Sequence, residues 1–145
     1  SEENLRNDMN VNYFGTLNVI RSFAPILEKN TGSIVNILTM VSLASGPGLG
    51  GYSASKAALY SLTQALRVDL GKVGVKVHGV FPGLIDTDMA KGFDMPKTAP
   101  SIVAENVLIG IENGAEDIYP DPMAEQLQAL RMKDPKEFEK QLGTF

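Results

Sequence analysis

Short apolar runs alternate with longer helical segments in this chain, and this alternation restricts its fold more than any other feature. The sequences IVNIL at 34–38 and VKVHGVF at 75–81 are short, apolar and rich in β-branched residues. Strands that are buried on both faces of a parallel sheet have this composition. Because parallel neighbours need a long crossover connection, the alternation predicts an α/β fold with a parallel sheet.

Hydrophobic spacing and turn residues predict the boundaries of the other elements. They are helices at 3–28, 52–72, 101–113 and 122–142, and a third short strand at about 116–119. Ser101 is the predicted N-cap of the third helix, and Asp134 with Pro135 restarts the last helix after a break. Ligands of open parallel sheets bind at the carboxyl ends of the strands, which here are Thr39 and residues 81–83.

The composition of the chain argues against several classes of function. Its 145 residues suit a single domain at 1–145, and 43% apolar residues suit an ordinary globular core. A net charge of -4 disfavours a nucleic-acid partner. No apolar run has the length of a bilayer span, so no membrane partner is expected. The absence of cysteine argues against a disulfide framework and a thiolate metal site, and it fits a reducing, cytoplasmic location. No metal centre is expected, because the single histidine has no evident partners and Asp86, Asp88 and Asp94 resemble no metal-binding loop.

A glycine-rich loop follows the first predicted strand and raises the question of a phosphate cradle. Gly46, Gly48 and Gly51 fit the G-x-G-x-x-G spacing that lets a backbone approach a pyrophosphate. In that motif the first glycine stands directly at the strand end, whereas Gly46 lies well beyond it. Pro47 also removes a backbone N–H between the first two glycines. We therefore interpret the segment as a flexible loop over a ligand.

Tyr52 and Lys56 stand four residues apart in a predicted helix, so their side chains share one face. A nearby ammonium favours the phenolate and lowers the pKa of a tyrosine. Such a pair moves a proton to or from a substrate oxygen. The spacing alone also fits a surface lysine beside a half-buried tyrosine, and both interpretations stay open on the pair itself.

Four segments together resemble the catalytic, C-terminal half of the short-chain dehydrogenase/reductase family. They are VNYFG at 11–15, IVNILT at 34–39, YSASK at 52–56 and FPGLIDTDM at 81–89. The resemblance covers about residues 3–90. It implies a Rossmann-like, doubly wound parallel sheet, of which this chain holds about three strands with flanking helices. It also implies an oxidoreductase that transfers hydride between NAD or NADP and a small-molecule alcohol or ketone.

The resemblance implies roles for individual residues. Tyr52 is the general acid/base, Lys56 lowers its pKa and binds the nicotinamide ribose, and Asn12 holds a water in a proton relay. Thr39 stands where the family has its catalytic serine and keeps a hydroxyl for the substrate carbonyl, but its extra methyl stiffens the side chain. Ser42 is the alternative substrate contact if the loop bends.

The same resemblance implies further cofactor contacts beside the Tyr–Lys pair. Pro82 and Gly83 let the backbone approach the nicotinamide, Ile85 lies against its ring, and Thr87 reaches its carboxamide. Plain termination of the strand also explains Pro82 and Gly83, and both interpretations can hold together. A simple N-cap or turn hydroxyl is the alternative for Thr87.

Residues outside these motifs have simpler interpretations. His78, the only histidine, is expected to be a buried strand residue. Met89, Phe93 and Met95 predict an apolar or mixed lip of a substrate pocket. The charged tail after residue 116 is expected to fold back near this lip.

The resemblance also predicts what surrounds the chain. The family's N-terminal cofactor half is expected before residue 1, and without it the first strand presents an open edge. The family pairs the helices at 3–28 and 52–72 across a two-fold axis, which implies a homodimer or homotetramer. The alternative function is a non-catalytic fragment or dimerisation module that derives from the same family.

Overall fold

A three-stranded parallel sheet with helices around it forms the structure, a computed structural model that describes residues 1–144. The helices are α1 (Glu2–Met9), α2 (Thr16–Asn30), α3 (Gly50–Gly71), α4 (Pro100–Glu112), α5 (Pro122–Lys133) and α6 (Pro135–Leu142). The strands are β1 (Ser33–Ile37), β2 (Lys76–Val80) and β3 (Asp117–Ile118). A π-helical segment (Asn10–Gly15) joins α1 to α2, and short 3-10 turns lie at Met40–Ser42 and Asp88–Ala90. The predicted α/β fold is confirmed.

The strands lie side by side in chain order, and all three run in the same direction. β1 and β2 pair from Ser33 opposite Lys76 to Ile37 opposite Val80. Val80 also pairs with Ile118 of β3. The carboxyl ends of all three strands therefore meet at one edge of the sheet, as the sequence predicts.

Helices lie on both faces of the sheet, as in a doubly wound arrangement. On one face, Asn36 of β1 donates from Nδ2 to Thr63 Oγ1 of α3 over 2.9 Å. Ile118 points to the opposite face, because side chains alternate along strands, and there it packs against Gly110 of α4. A Cβ at Gly110 would stand 2.9 Å from Ile118 Cδ1, so this close packing requires a glycine.

The largest apolar cluster lies beside the carboxyl edge of the sheet. Its buried members come from the strand ends, α3 and the two last helices, and they are Leu38, Met40, Leu59, Phe81, Ala124, Leu127, Phe138 and Leu142. The tail thus packs on the carboxyl edge of the sheet, and the prediction that it folds back is confirmed. Among the described residues, no helix combines the length and the apolar character that crossing a membrane requires.

Two predictions about the helices are wrong. Residues 3–28 do not form one regular helix, because the π-helical segment interrupts it; there Thr16 Oγ1 donates to the Asn12 carbonyl over 2.8 Å. The third helix is capped by Ala99 and starts at Pro100, so Ser101 is not its N-cap. The break before α6 is confirmed, since Asp134 accepts hydrogen bonds from the first backbone N–H groups of that helix.

Candidate active site

A cavity of about 360 Å³ opens at the carboxyl edge of the sheet. Its lining comes from the ends of β1 and β2, the start of α3, the loop before α4, and the last two helices. The lining residues are Ile37, Leu38, Thr39, Met40, Val41, Leu49, Tyr52, Lys56, Pro82, Gly83, Leu84, Ile85, Thr87, Met89, Ala90, Phe93, Met95, Met123, Leu127 and Leu142. Open parallel sheets bind their ligands at this position.

Tyr52 and Lys56 both line this cavity, one helical turn apart near the start of α3. The Lys56 ammonium donates to the Ile37 carbonyl at the end of β1 over 2.9 Å. Its Nζ lies 5.9 Å from the centre of the Tyr52 ring. The strand end thus holds the lysine ammonium beside the tyrosine ring.

The surroundings of the pair perturb both side chains. Burial, and to a lesser extent the Asp8 carboxylate, raises the pKa of Tyr52 above its ordinary value. Burial lowers the pKa of Lys56. The net pKa of the phenol is raised because desolvation is the dominant effect, so the lowering of this pKa by Lys56 stays a prediction. The phenol therefore stays protonated at neutral pH and is suited to donate a proton.

Thr39 lines the cavity, but Ser42 does not. Thr39 Oγ1 accepts the Val41 N–H over 3.4 Å, and the Thr39 N–H in turn donates to Ser42 Oγ over 3.1 Å. This reciprocal capping fixes the chain directly after β1, and it leaves the Thr39 hydroxyl proton for a ligand. Ser42 is 7% exposed and is committed to this turn, so the alternative that it contacts the substrate is corrected.

Asn12 lies outside the cavity lining but is connected to the same helix. Its Nδ2 donates to Ser55 Oγ over 3.0 Å, and Ser55 Oγ donates to the Tyr52 carbonyl over 2.7 Å. Asn12 belongs to the π-helical segment, a backbone irregularity that is frequent at functional sites. These contacts tie the irregular segment to the turn of α3 that carries Tyr52.

Pro82, Gly83, Ile85 and Thr87, the predicted cofactor contacts, all line the cavity. Ile85 forms an isolated parallel bridge with Thr98, which pins the two ends of the intervening loop. Gly83 has a structural requirement that the sequence did not reveal. A Cβ at this position would stand 2.7 Å from an oxygen of Asp121 and 2.8 Å from Met123 Cβ. Only a glycine lets the chain after β2 pack on the start of α5.

Asp121 is the functional candidate that sequence reasoning missed. It is 2% exposed, and its two carboxylate oxygens accept the Gly83 N–H over 2.8 Å and the Ala124 N–H over 3.0 Å. The same carboxylate therefore caps α5 and binds the backbone of Gly83, which lines the cavity. The sequence did contain a signal for its capping role, because Asp121 with Pro122 repeats the Asp–Pro pattern that predicted the start of α6.

The glycine-rich loop does not line the cavity, apart from Leu49. Gly48 has a φ of 73°, as a left-handed turn requires. Gly51 lies inside α3, where a side chain would collide with Leu5 of α1. Gly51 thus serves helix packing. His78 is buried in β2 as predicted, with its Nδ1 2.6 Å from the Ala115 carbonyl oxygen.

The sequence matches the family described as short chain dehydrogenase over residues 1–97. An uncharacterized oxidoreductase of Staphylococcus aureus (strain MW2) is 35% identical over 107 residues, which cover 71% of this chain and 46% of the relative. An uncharacterized oxidoreductase of Staphylococcus epidermidis is 36% identical over 87 residues, 59% of this chain and 38% of the relative. The chain thus spans less than half the length of these curated relatives.

Two solved structures resemble the chain over most of its length. A short-chain dehydrogenase from Burkholderia cenocepacia J2315 in complex with NADP has 37% identity and a TM-score of 0.92. The alignment covers 98% of this chain and 60% of that one. A bulky-bulky ketone specific alcohol dehydrogenase from Comamonas testosteroni has 27% identity and a TM-score of 0.65, covering 86% and 50%.

Proposed function

Because the chain belongs to the short-chain dehydrogenase family of oxidoreductases, we propose that it forms the catalytic part of an NAD- or NADP-dependent alcohol/ketone oxidoreductase. The observation that carries the proposal is the joint presence of Tyr52, Lys56 and Thr39 in one cavity at the carboxyl edge of the sheet. The NADP complex of the Burkholderia relative supports a nicotinamide cofactor, and either nucleotide fits the proposal.

The residues of the cavity fit a nicotinamide nucleotide in their chemistry. Ile37, Pro82 and Ile85 offer an apolar surface for a flat ring. Lys56 and Thr87 offer an ammonium and a hydroxyl to hydrogen-bond a ribose and a carboxamide. The cofactor supplies hydride chemistry when it is bound, and the protein supplies binding, orientation and the proton.

In the reductive direction, the Tyr52 hydroxyl donates its proton to the oxygen of the ketone. The Thr39 hydroxyl donates a hydrogen bond to the same oxygen and so holds the carbonyl in place. The Lys56 ammonium, fixed by the Ile37 carbonyl, stabilises the phenolate that proton transfer leaves behind. Oxidation of the alcohol uses the same groups in the opposite protonation states.

We propose that Asn12 holds a water through which the site regains its proton. Its link to Ser55, which immediately precedes Lys56 in the chain, supports a position beside the lysine. The Asn12 backbone is part of the π-helical segment, so it departs from the regular helical pattern at this point.

A deuterium-transfer assay tests the proposal on the full-length protein, including any segment that its gene encodes upstream. The protein is incubated with a ketone and with NADH or NADPH that carries deuterium at the transferable position. We expect an alcohol that carries one deuterium on the former carbonyl carbon. When the cofactor is omitted, we expect no deuterated alcohol. If the cofactor binds but no ketone is converted, the proposed function is wrong.

An association module is the second candidate, and exposed apolar residues favour it. They lie along the first helices, and they are Leu5, Val11, Phe14, Val19, Phe23 and Ile26. Ala54, Ala57, Ser61 and Ala65 form a small-residue surface on α3 that permits close helix approach. We propose that these surfaces pair two copies in a homodimer or homotetramer. Light scattering tests this, and a strict monomer at high concentration would exclude it.

A further inference from the structure

We propose that the substrate of this cavity is an uncharged, apolar ketone or the corresponding alcohol, selected by a methionine-rich wall that the last two helices complete. The inference rests on the proposed function and narrows it to one substrate class. It depends on three properties of the cavity: its charge, the nature of its apolar residues and the gradient of their exposure.

Charge is the first property. Lys56 is the only charged side chain that lines the cavity within residues 1–144, and in the proposed function its ammonium binds both the Ile37 carbonyl and the cofactor ribose. The other polar side chains of the lining are the hydroxyls of Thr39, Tyr52 and Thr87. Among the described residues, no arginine or further lysine lines the cavity to pair with a carboxylate or phosphate of a substrate. Burying such a group without a partner is costly, so anionic ketones are disfavoured.

The second property is the choice of apolar residues. Four of the six methionines of the chain line this one cavity: Met40, Met89, Met95 and Met123. Methionine is unbranched and polarisable, and it adapts to apolar surfaces of different shape. The wall therefore suits a range of aliphatic and aromatic groups. This argues for selection by apolar character and against recognition of one defined shape.

Exposure along the cavity is the third property. Met40 and Leu142 are each 2% exposed and form its inner end, whereas Met89 is 82% exposed and Phe93 40% exposed at its lip. An apolar substrate that enters from the lip covers these exposed side chains and gains the free energy of apolar burial. Leu127 of α5 continues the buried surface, so the tail supplies much of the inner wall.

A matched pair of ketones tests the inference. Para-methylacetophenone and para-acetylbenzoate have nearly the same shape, but only the second carries a carboxylate. Dissociation constants are measured by ligand-observed NMR on the full-length protein with its cofactor, and turnover is followed in the same samples. We expect the methyl ketone to bind at least about tenfold more tightly. Equal binding, a preference for the carboxylate, or binding of neither ketone overturns the inference.

The two measurements separate this inference from the proposed function. If the methyl ketone binds selectively but is never reduced, the apolar site stands and the oxidoreductase proposal fails. If both ketones are reduced and bind equally well, the oxidoreductase proposal stands and the substrate class is wrong.

Two lysine substitutions in α5 test whether the methionine-rich wall causes the preference for the uncharged ketone. Met123→Lys places a cation in the cavity, whereas Met132→Lys adds the same charge at a position that is 73% exposed and outside the lining. We expect Met123→Lys to reduce the preference for the methyl ketone at least about fivefold, and Met132→Lys to leave it unchanged. Met95→Lys, in the loop before α4, repeats the test without altering α5. Unchanged preference in both cavity variants would overturn the role of the wall.

Discussion

The cavity has two walls that differ in chemistry and in origin. One wall carries Thr39, Tyr52 and Lys56, which lie within the residues that match the family. The other is the part of the lining that the last two helices supply. It carries Met123, Leu127 and Leu142, which follow the end of that match at residue 97. The first wall bears hydroxyl and ammonium groups, and the second is entirely apolar. We therefore propose that the matched segment carries the reaction chemistry and that the tail contributes to the selection of apolar substrates.

One carboxylate joins the two walls. Asp121 binds the Gly83 N–H on the side of the first wall and the Ala124 N–H at the start of the helix that carries the second. A change on the polar wall should therefore affect the rate, a change on the apolar wall should affect selectivity, and a change at Asp121 should affect both through stability.

Removing the proposed proton donor changes the polar wall, and we expect the largest effect on the rate there. Tyr52→Phe should lower the rate of ketone reduction by about 10²–10⁴-fold, because general acid catalysis contributes about that much. Ketone binding should change little, since the apolar wall is intact. Steady-state kinetics measure the loss, and Tyr13→Phe, outside the cavity lining, is the control. A Tyr52→Phe enzyme with near-normal turnover would remove Tyr52 from the mechanism.

Removing the cation tests whether Lys56 supports the tyrosine. A neighbouring charge changes a pKa by about 1–3 units, so Lys56→Met should lower the rate by about 10–10³-fold. Lys72→Met is the control, because Lys72 is an exposed residue at the end of α3 that pairs with Asp69. Kinetics at several pH values give the comparison. Equal losses in both variants would contradict a specific role for Lys56.

Substitutions at the two Asp–Pro helix starts test whether Asp121 connects the two walls of the cavity. Asp121→Ala removes two hydrogen bonds of a buried carboxylate and leaves the N–H groups of Gly83 and Ala124 unpaired, so it should cost about 3 kcal/mol or more. Asp134→Ala removes an exposed helix cap and should cost about 1 kcal/mol. Urea denaturation measures both free energies of unfolding. Similar values would mean that Asp121 is only a helix cap.

The smallest expected effect concerns the pH profile. Burial chiefly, and the Asp8 charge in addition, raises the pKa of Tyr52, so Asp8→Asn should lower it. Reduction needs the phenol and oxidation needs the phenolate, so both pH–rate curves should move to lower pH. Asp69→Asn, at the far end of α3, should leave them unchanged. A shift to higher pH in Asp8→Asn would mean that the Asp8 carboxylate does not raise the pKa of Tyr52.

The sequence predicted the sheet and its strand positions well, because these depend on local patterns, and the family resemblance identified the residues of the polar wall. The β-branched runs predicted β1 and β2, and the Tyr–Lys spacing identified two lining residues. The sequence did not show that Ser42 lies outside the cavity lining, because its reciprocal capping with Thr39 depends on the turn geometry after β1. The raised pKa of Tyr52 was not predicted, because the extent of burial cannot be read from spacing.

The apolar wall was largely invisible in the sequence. Met89, Phe93 and Met95 suggested a lip, but Met123 and Leu142 reach the cavity only because α5 and α6 pack back on the sheet. Their positions depend on contacts between residues far apart in the chain. Asp121 was missed for the same reason, since its local pattern predicts a helix start and its contact with Gly83 is remote in sequence.

Methionine-methyl NMR tests most directly the central claim that the two walls enclose one binding site. The protein is labelled at its methionine methyl groups and titrated with NADPH and then with para-methylacetophenone. We expect the ketone to perturb Met40 beside the polar wall and Met123 on the apolar wall together, at one dissociation constant, while Met132 stays unchanged. Perturbation of one wall without the other, or of Met132 alone, would contradict a single site between the two walls.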